Sequence, residues 1–115
     1  MPYFDFFVAA VPQEKRQAYD DFCAKSQPLF LELGAVEVVD CWGDDVPGGE
    51  LTSLPMAVKA KPDETVASGW IVWPDKATRD KGWARMMQDE PQWEMPFDGS
   101  RVIFGGFTEI RTTRA

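Results

Sequence analysis

Residues 3–11, Tyr3-Phe4-Asp5-Phe6-Phe7-Val8-Ala9-Ala10-Val11, constrain the fold more than any other stretch of the chain. Alternate side chains of a strand point to opposite sides of a sheet. Here Phe4, Phe6, Val8 and Ala10 fall on one side, and Tyr3, Phe7, Ala9 and Val11 on the other. Both sides are apolar, and only Asp5 interrupts them. A strand of this kind must be covered on both faces. Pro12 ends it, because proline has no amide hydrogen to give to a ladder.

Two further strands repeat the pattern. Ala35 to Trp42 sets Val36, Val38, Asp40 and Trp42 against Ala35, Glu37, Val39 and Cys41. Thr65 to Trp73 sets Val66, Trp70 and Val72 against Ala67, Ile71 and Trp73, with Gly69 marking close packing or a bulge. A last strand runs from Arg101 to Ile110. Val102, Phe104, Gly106 and Ile110 share one side, and Ile103, Gly105 and Phe107 the other.

Between them lie two helices. Gln13 to Leu33 carries an apolar stripe of Ala18, Phe22, Ser26, Leu29 and Leu33, flanked by Tyr19, Cys23 and Phe30. Pro28 predicts a kink or break near Ser26–Gln27, and Gly34 a left-handed cap. The second helix starts after Asp75 as N-cap and runs to about Asp89. Its stripe is Trp83, Met86 and Met87, with Ala77 and Ala84 beside it; Pro91 stops it. Leu51 to Ala60 reads equally as a helical turn or a short strand.

The order strand, helix, strand, strand, helix, strand predicts an α+β, ferredoxin-like βαββαβ fold in a single domain over 1–115. Its sheet would be four-stranded and antiparallel, with two helices on one face. Those helices leave the second apolar face bare. The simplest cover is a second copy of the chain, which makes a dimeric α/β barrel, a homodimer.

Several function classes are excluded by composition. The chain has no histidine, which removes Ser-His-Asp and Cys-His nucleophiles, an axial haem histidine and most catalytic zinc sites. No metal and no cofactor is expected. A net charge of −7 repels phosphate backbones, so nucleic acid is not expected as a partner. No stretch approaches the roughly 20 apolar residues of a membrane span. The N-terminus Met1-Pro2-Tyr3-Phe4-Asp5 lacks a signal-peptide pattern, so a cytoplasmic protein is expected. Cys23 and Cys41 stand alone, either as small buried apolar groups or as a reactive thiol.

Four groups of residues could carry chemistry. Asp40, Asp44 and Asp45 lie close to Trp42 at the end of a strand, where carboxylates can bind a cation, act as acid and base, or merely solvate a turn. The loop Gly43 to Glu50 that holds two of them is either ligand-facing or a plain connection. Asp40 itself shares a face with Val36, Val38 and Trp42, so it needs a partner, with Arg101 and Lys59 as candidates, or serves as a base. Phe97-Asp98-Gly99-Ser100-Arg101 is either a polar ligand site or a capped turn. The tryptophans Trp42, Trp70, Trp73, Trp83 and Trp93 line a pocket or fill the core and an interface.

Several segments together resemble one family. These are Phe7-Val8-Ala9-Ala10-Val11-Pro12, Cys41-Trp42 with Asp45-Val46-Pro47, and Met56-Ala57-Val58-Lys59-Ala60. The remainder are Trp70 with Pro74-Asp75-Lys76 and Arg79-Asp80, Met86-Met87 with Asp89, and Met95-Pro96-Phe97-Asp98-Gly99-Ser100-Arg101 leading to Gly105-Gly106-Phe107. In order and spacing the chain resembles the YbaA-like family of uncharacterised bacterial proteins, a domain of unknown function in the dimeric α/β-barrel superfamily. The resemblance implies the same fold and dimer, and no established activity. The region after Asp89 is shorter here, with Pro91-Gln92-Trp93-Glu94 leading directly to Met95.

Fold analogy then gives two expectations. One is a small apolar or aromatic metabolite bound or transformed between sheet and helices. Asp40 would be its base, Arg101 or Trp42 would steer an oxyanion, and Asp44, Asp45, Trp70, Phe97 and Asp98 would line the site. The other is a non-catalytic stress or regulatory dimer.

Overall fold

A computed structural model describes residues 1–89 and 93–115. The strands are β1 (Tyr3–Pro12), β2 (Glu37–Trp42), β3 (Glu64–Trp73) and β4 (Ile103–Thr108). The helices are α1 (Arg16–Glu32), α2 (Leu54–Ala57) and α3 (Lys76–Asp89). The sheet is antiparallel throughout, in the order β2-β3-β1-β4. That is the order of a split βαβ, ferredoxin-like arrangement. The expectation for Pro91 as a helix stop and for the short segment after Asp89 falls partly on residues 90–92, outside the described residues.

Alternation holds along every strand. Tyr3, Ala9 and Val11 of β1, Ala67, Ile71 and Trp73 of β3, and Val38 of β2 pack under α1 and α3. On the other side, Ala10 and Val66 pack with Val58, which follows α2. The ambiguous segment therefore resolves as a helical turn, and it lies on the face opposite the two long helices. Ser53 caps it, its Oγ accepting from the Met56 amide at 3.1 Å. Among the described residues, this turn adds a third α-helix to the two long ones.

The boundaries shift for identifiable reasons. Residues Gln13–Lys15 form a 3-10 turn before α1, which then continues through Pro28 to Glu32 without the expected break. At its C-terminus the Gly34 amide donates to Leu31 and the Ala35 amide to Phe30, with Gly34 at φ 112°. This Schellman closure keeps Ala35 bound to the helix, so the strand starts later than the apolar pattern suggests. β4 ends at Thr108 because Thr108 pairs with Tyr3, the first residue of β1, and the partner strand runs out.

The contact stripes of the helices match the expected ones in part. In α1 the buried residues are Tyr19, Cys23 and Ser26, while Ala18 is exposed. In α3 the buried residue is Gly82. A Cβ there would come within 2.7 Å of the Trp73 ring, so glycine lets the helix settle on the indole. Trp83 packs beside it, and Met87, Ala77 and Ala84 are left exposed.

Candidate functional site

A cavity of about 570 Å³ lies between the helix-covered face of the sheet and helices α1 and α3. Aromatic rings make a large part of its wall: Phe7, Tyr19, Phe22, Phe30, Trp83 and Phe97. Phe7 reaches across Gly69, where a Cβ would sit 2.7 Å from its ring. Phe97 holds the outer end of the wall, 5.9 Å from the Tyr19 ring and 5.6 Å from the Phe22 ring. Met87, Met95 and Phe104, all exposed, mark the mouth along β4.

Asp5 forms one end of this cavity. Its carboxylate is buried, at 6% exposure. The indole N–H groups of Trp73 and Trp83 each donate to Oδ2 at 2.9 Å. Arg79 reaches it through Nε at 3.2 Å to both oxygens and through Nη2 at 2.8 Å to Oδ1. The guanidinium also lies 5.2 Å over the Tyr3 ring, in space that Gly106 leaves open. Every lone-pair direction of Asp5 is therefore taken by a donor, which suits a structural anchor. Arg79, Trp73 and Asp5 were not expected to meet. The usable signal was Asp5 itself, a lone carboxylate inside an apolar strand.

Asp40 forms a second polar point. Its Oδ2 accepts from Gln27 Nε2 at 2.8 Å, so the partner is Gln27 and neither Arg101 nor Lys59. Tyr19 and Cys23 stand beside it. Burial, reinforced by the Asp40 charge, pushes the Tyr19 phenol well above its ordinary range and the Cys23 thiol up to about 12. Both stay protonated at neutral pH. The reading of Cys23 as a reactive thiolate loses its chemical basis. Cys41 is exposed, and neither cysteine is bonded to another.

The remaining candidates separate. Trp42 packs against Tyr19 at 5.8 Å, with the Arg16 guanidinium 5.8 Å over its ring. It lines an outer trough that shares Tyr19 and Asp40 with the cavity. Asp44 and Asp45 are exposed on the loop after β2, and no group of three potential metal ligands gathers among the described residues. Trp70 pairs with Phe6 and Val39, so it faces away from the cavity. Trp93 stands edge-on to Phe22 at 6.0 Å.

Asp98 and Arg101 do not join Asp40. Asp98 caps the turn Gly99–Arg101, accepting from the Ser100 amide at 3.0 Å. Arg101 forks onto Glu64, Nη1 to Oε1 at 2.7 Å and Nη2 to Oε2 at 2.8 Å, and also holds Asp98 and the Lys59 carbonyl. This network ties the start of β3 to the turn before β4. Hydrogen bonding to Arg101 holds the Glu64 carboxyl down at about 2, against an ordinary 4.5. A depressed carboxyl stabilises the fold above its unfolded pKa, and the gain disappears as the pH falls through its folded pKa. Urea unfolding of Glu64→Gln should lose about 2–3 kcal/mol of the stability that the natural chain sheds between pH 4.5 and 2. An identical acid profile in both proteins would refute this assignment.

Comparison with known proteins places the sequence in a family. Residues 2–99 match the family described as "Protein of unknown function (DUF1428)". The chain is 48% identical over 114 residues to "Uncharacterized protein YbaA" of Escherichia coli (strain K12), covering 96% of this chain and 97% of that one. The Shigella flexneri protein of the same description gives the same values. With a family match across most of its length and that identity, the chain belongs to the YbaA-like family of proteins of unknown function.

Proposed function

We propose that this protein is a cytoplasmic homodimer that binds a small apolar or aromatic metabolite in the cavity between the sheet and its two long helices. The supporting observation is the cavity itself. About 570 Å³ is ample for a metabolite, and its wall of aromatic and aliphatic side chains is charged only at Asp5–Arg79 and Asp40 among the described residues. Apolar walls with a few fixed polar groups are the usual form of a ligand site. The protonated Tyr19 and Cys23 offer hydrogen-bond donors and no nucleophile, which favours binding over group transfer. Two unbonded thiols suit a reducing compartment. The dimer would close over the sheet face that α2 leaves open.

Calorimetric titration with naphthylmethanol, a neutral bicyclic probe, tests the reading. Binding is expected, and Val38→Phe should weaken it at least about tenfold by filling the cavity, with little change in Tm. Absence of binding by the unaltered chain, or full affinity in Val38→Phe, would overturn it.

A further inference from the structure

The polar groups of a mostly apolar cavity decide what it accepts. Among the described residues, three charged side chains line this one: Asp5, Arg79 and Asp40. The first two cancel. Arg79 Nη2 meets Asp5 Oδ1 at 2.8 Å, and its Nη1 turns to Asp80 at 3.0 Å. Its positive charge is answered by two carboxylates, so that end has little left to draw an anion.

Asp40 is different. Its hydrogen bonds come from neutral groups, the Gln27 amide and the Cys23 thiol. Among the described residues, no lysine or arginine nitrogen lies within 4.0 Å of it. Arg16 shares the outer trough with Asp40, but its guanidinium rests on the Trp42 ring. Tyr19 and Cys23, beside Asp40, are neutral and cannot serve as counter-ions. The cavity wall therefore carries one uncompensated negative charge, half-buried and next to aromatic rings. A carboxylate in that setting is favoured by a cation brought with the ligand. Faces of Tyr19, Phe22 and Phe97 would favour the same cation through their negative ring quadrupoles.

We infer that the cavity selects an apolar amine, with its protonated nitrogen against Asp40 and its ring or alkyl body among Tyr19, Phe22 and Phe97. This rests on the reading that the cavity binds a small apolar molecule, and it names the class of that molecule.

The test compares three probes of one shape on the intact chain at neutral pH: naphthylmethylamine, naphthylmethanol and naphthoate, by calorimetry. The amine is expected to bind on the order of tenfold or more tightly than the alcohol, with the carboxylate weakest. In Asp40→Asn the amine should fall to within about twofold of the alcohol measured on the same variant. Equal binding of amine and alcohol overturns the amine selectivity and leaves the binding reading standing. Preference for naphthoate overturns it in favour of the Arg79 end. Binding of none of the three removes both readings together. The ranking on the unaltered chain decides the matter even if Asp40→Asn does not fold.

Discussion

Asp5→Ala is expected to cost about 3–5 kcal/mol in urea unfolding at neutral pH, a large part of the stability of a chain this size. The change removes one carboxylate, but the cost falls on what remains. Arg79 keeps its charge with only Asp80 to meet it, and the indole N–H groups of Trp73 and Trp83 lose their acceptor. A buried donor without a partner costs about 1–3 kcal/mol, and a charge costs more. Asp5→Asn keeps the shape and one acceptor oxygen, so it should cost roughly half as much. The double change Asp5→Leu with Arg79→Met removes both charges and should recover a large part of the loss, because an apolar pair of similar volume can replace a buried ion pair. A loss below about 1 kcal/mol for Asp5→Ala would mean that water, and not this cluster, serves the three donors.

Asp5 also shows where sequence reasoning reaches and where it stops. The two-faced strands, their order and the side each residue occupies follow from alternation, which is local to each strand. For that reason the faces of all four strands were legible. Gly34 was legible as a cap because its left-handed φ is set by the turn that ends the helix. The partner of a buried carboxylate is not local. Arg79 lies 74 residues from Asp5, and Trp83 lies 78. No periodicity connects them, and a charged residue in a helix reads as solvent-facing until the sheet beneath it is known. The stripe of α3 is legible only in part: Trp83 packs on the core as expected, but the closest approach is a glycine above Trp73. Asp40 and Phe97, each of which stands out within its own segment, do line the cavity. Trp70 was assigned to the site by residue type alone, and alternation along β3 turns it the other way.

The opposite side of the sheet leads to the second large effect. Phe6 and Phe107 cross edge to face at 5.2 Å, and Phe4 stacks on Phe6 at 6.0 Å. Phe6 is 43% exposed and Phe107 53% in the single chain, and Ile103 at the start of β4 shares their side of the sheet. α2 covers only the far end of that face, over Ala10 and Val66. In the proposed homodimer this patch would meet a second copy of itself through a two-fold axis, each ring against its own equivalent surface. Replacing both Phe6 and Phe107 by Asp would place like charges at the centre of that contact. Association should weaken by more than about a thousandfold, from a dimer to a monomer in sedimentation at micromolar concentration. Phe104→Asp provides the contrast. Phe104 is 81% exposed and adjacent to Ile103 in β4, yet it points to the helix side, so this change should leave the dimer intact. Loss of the dimer in both variants would mean that β4 associates through its edge. A natural chain that sediments as a monomer would mean that the Phe6–Phe107 face is covered by something other than its own copy.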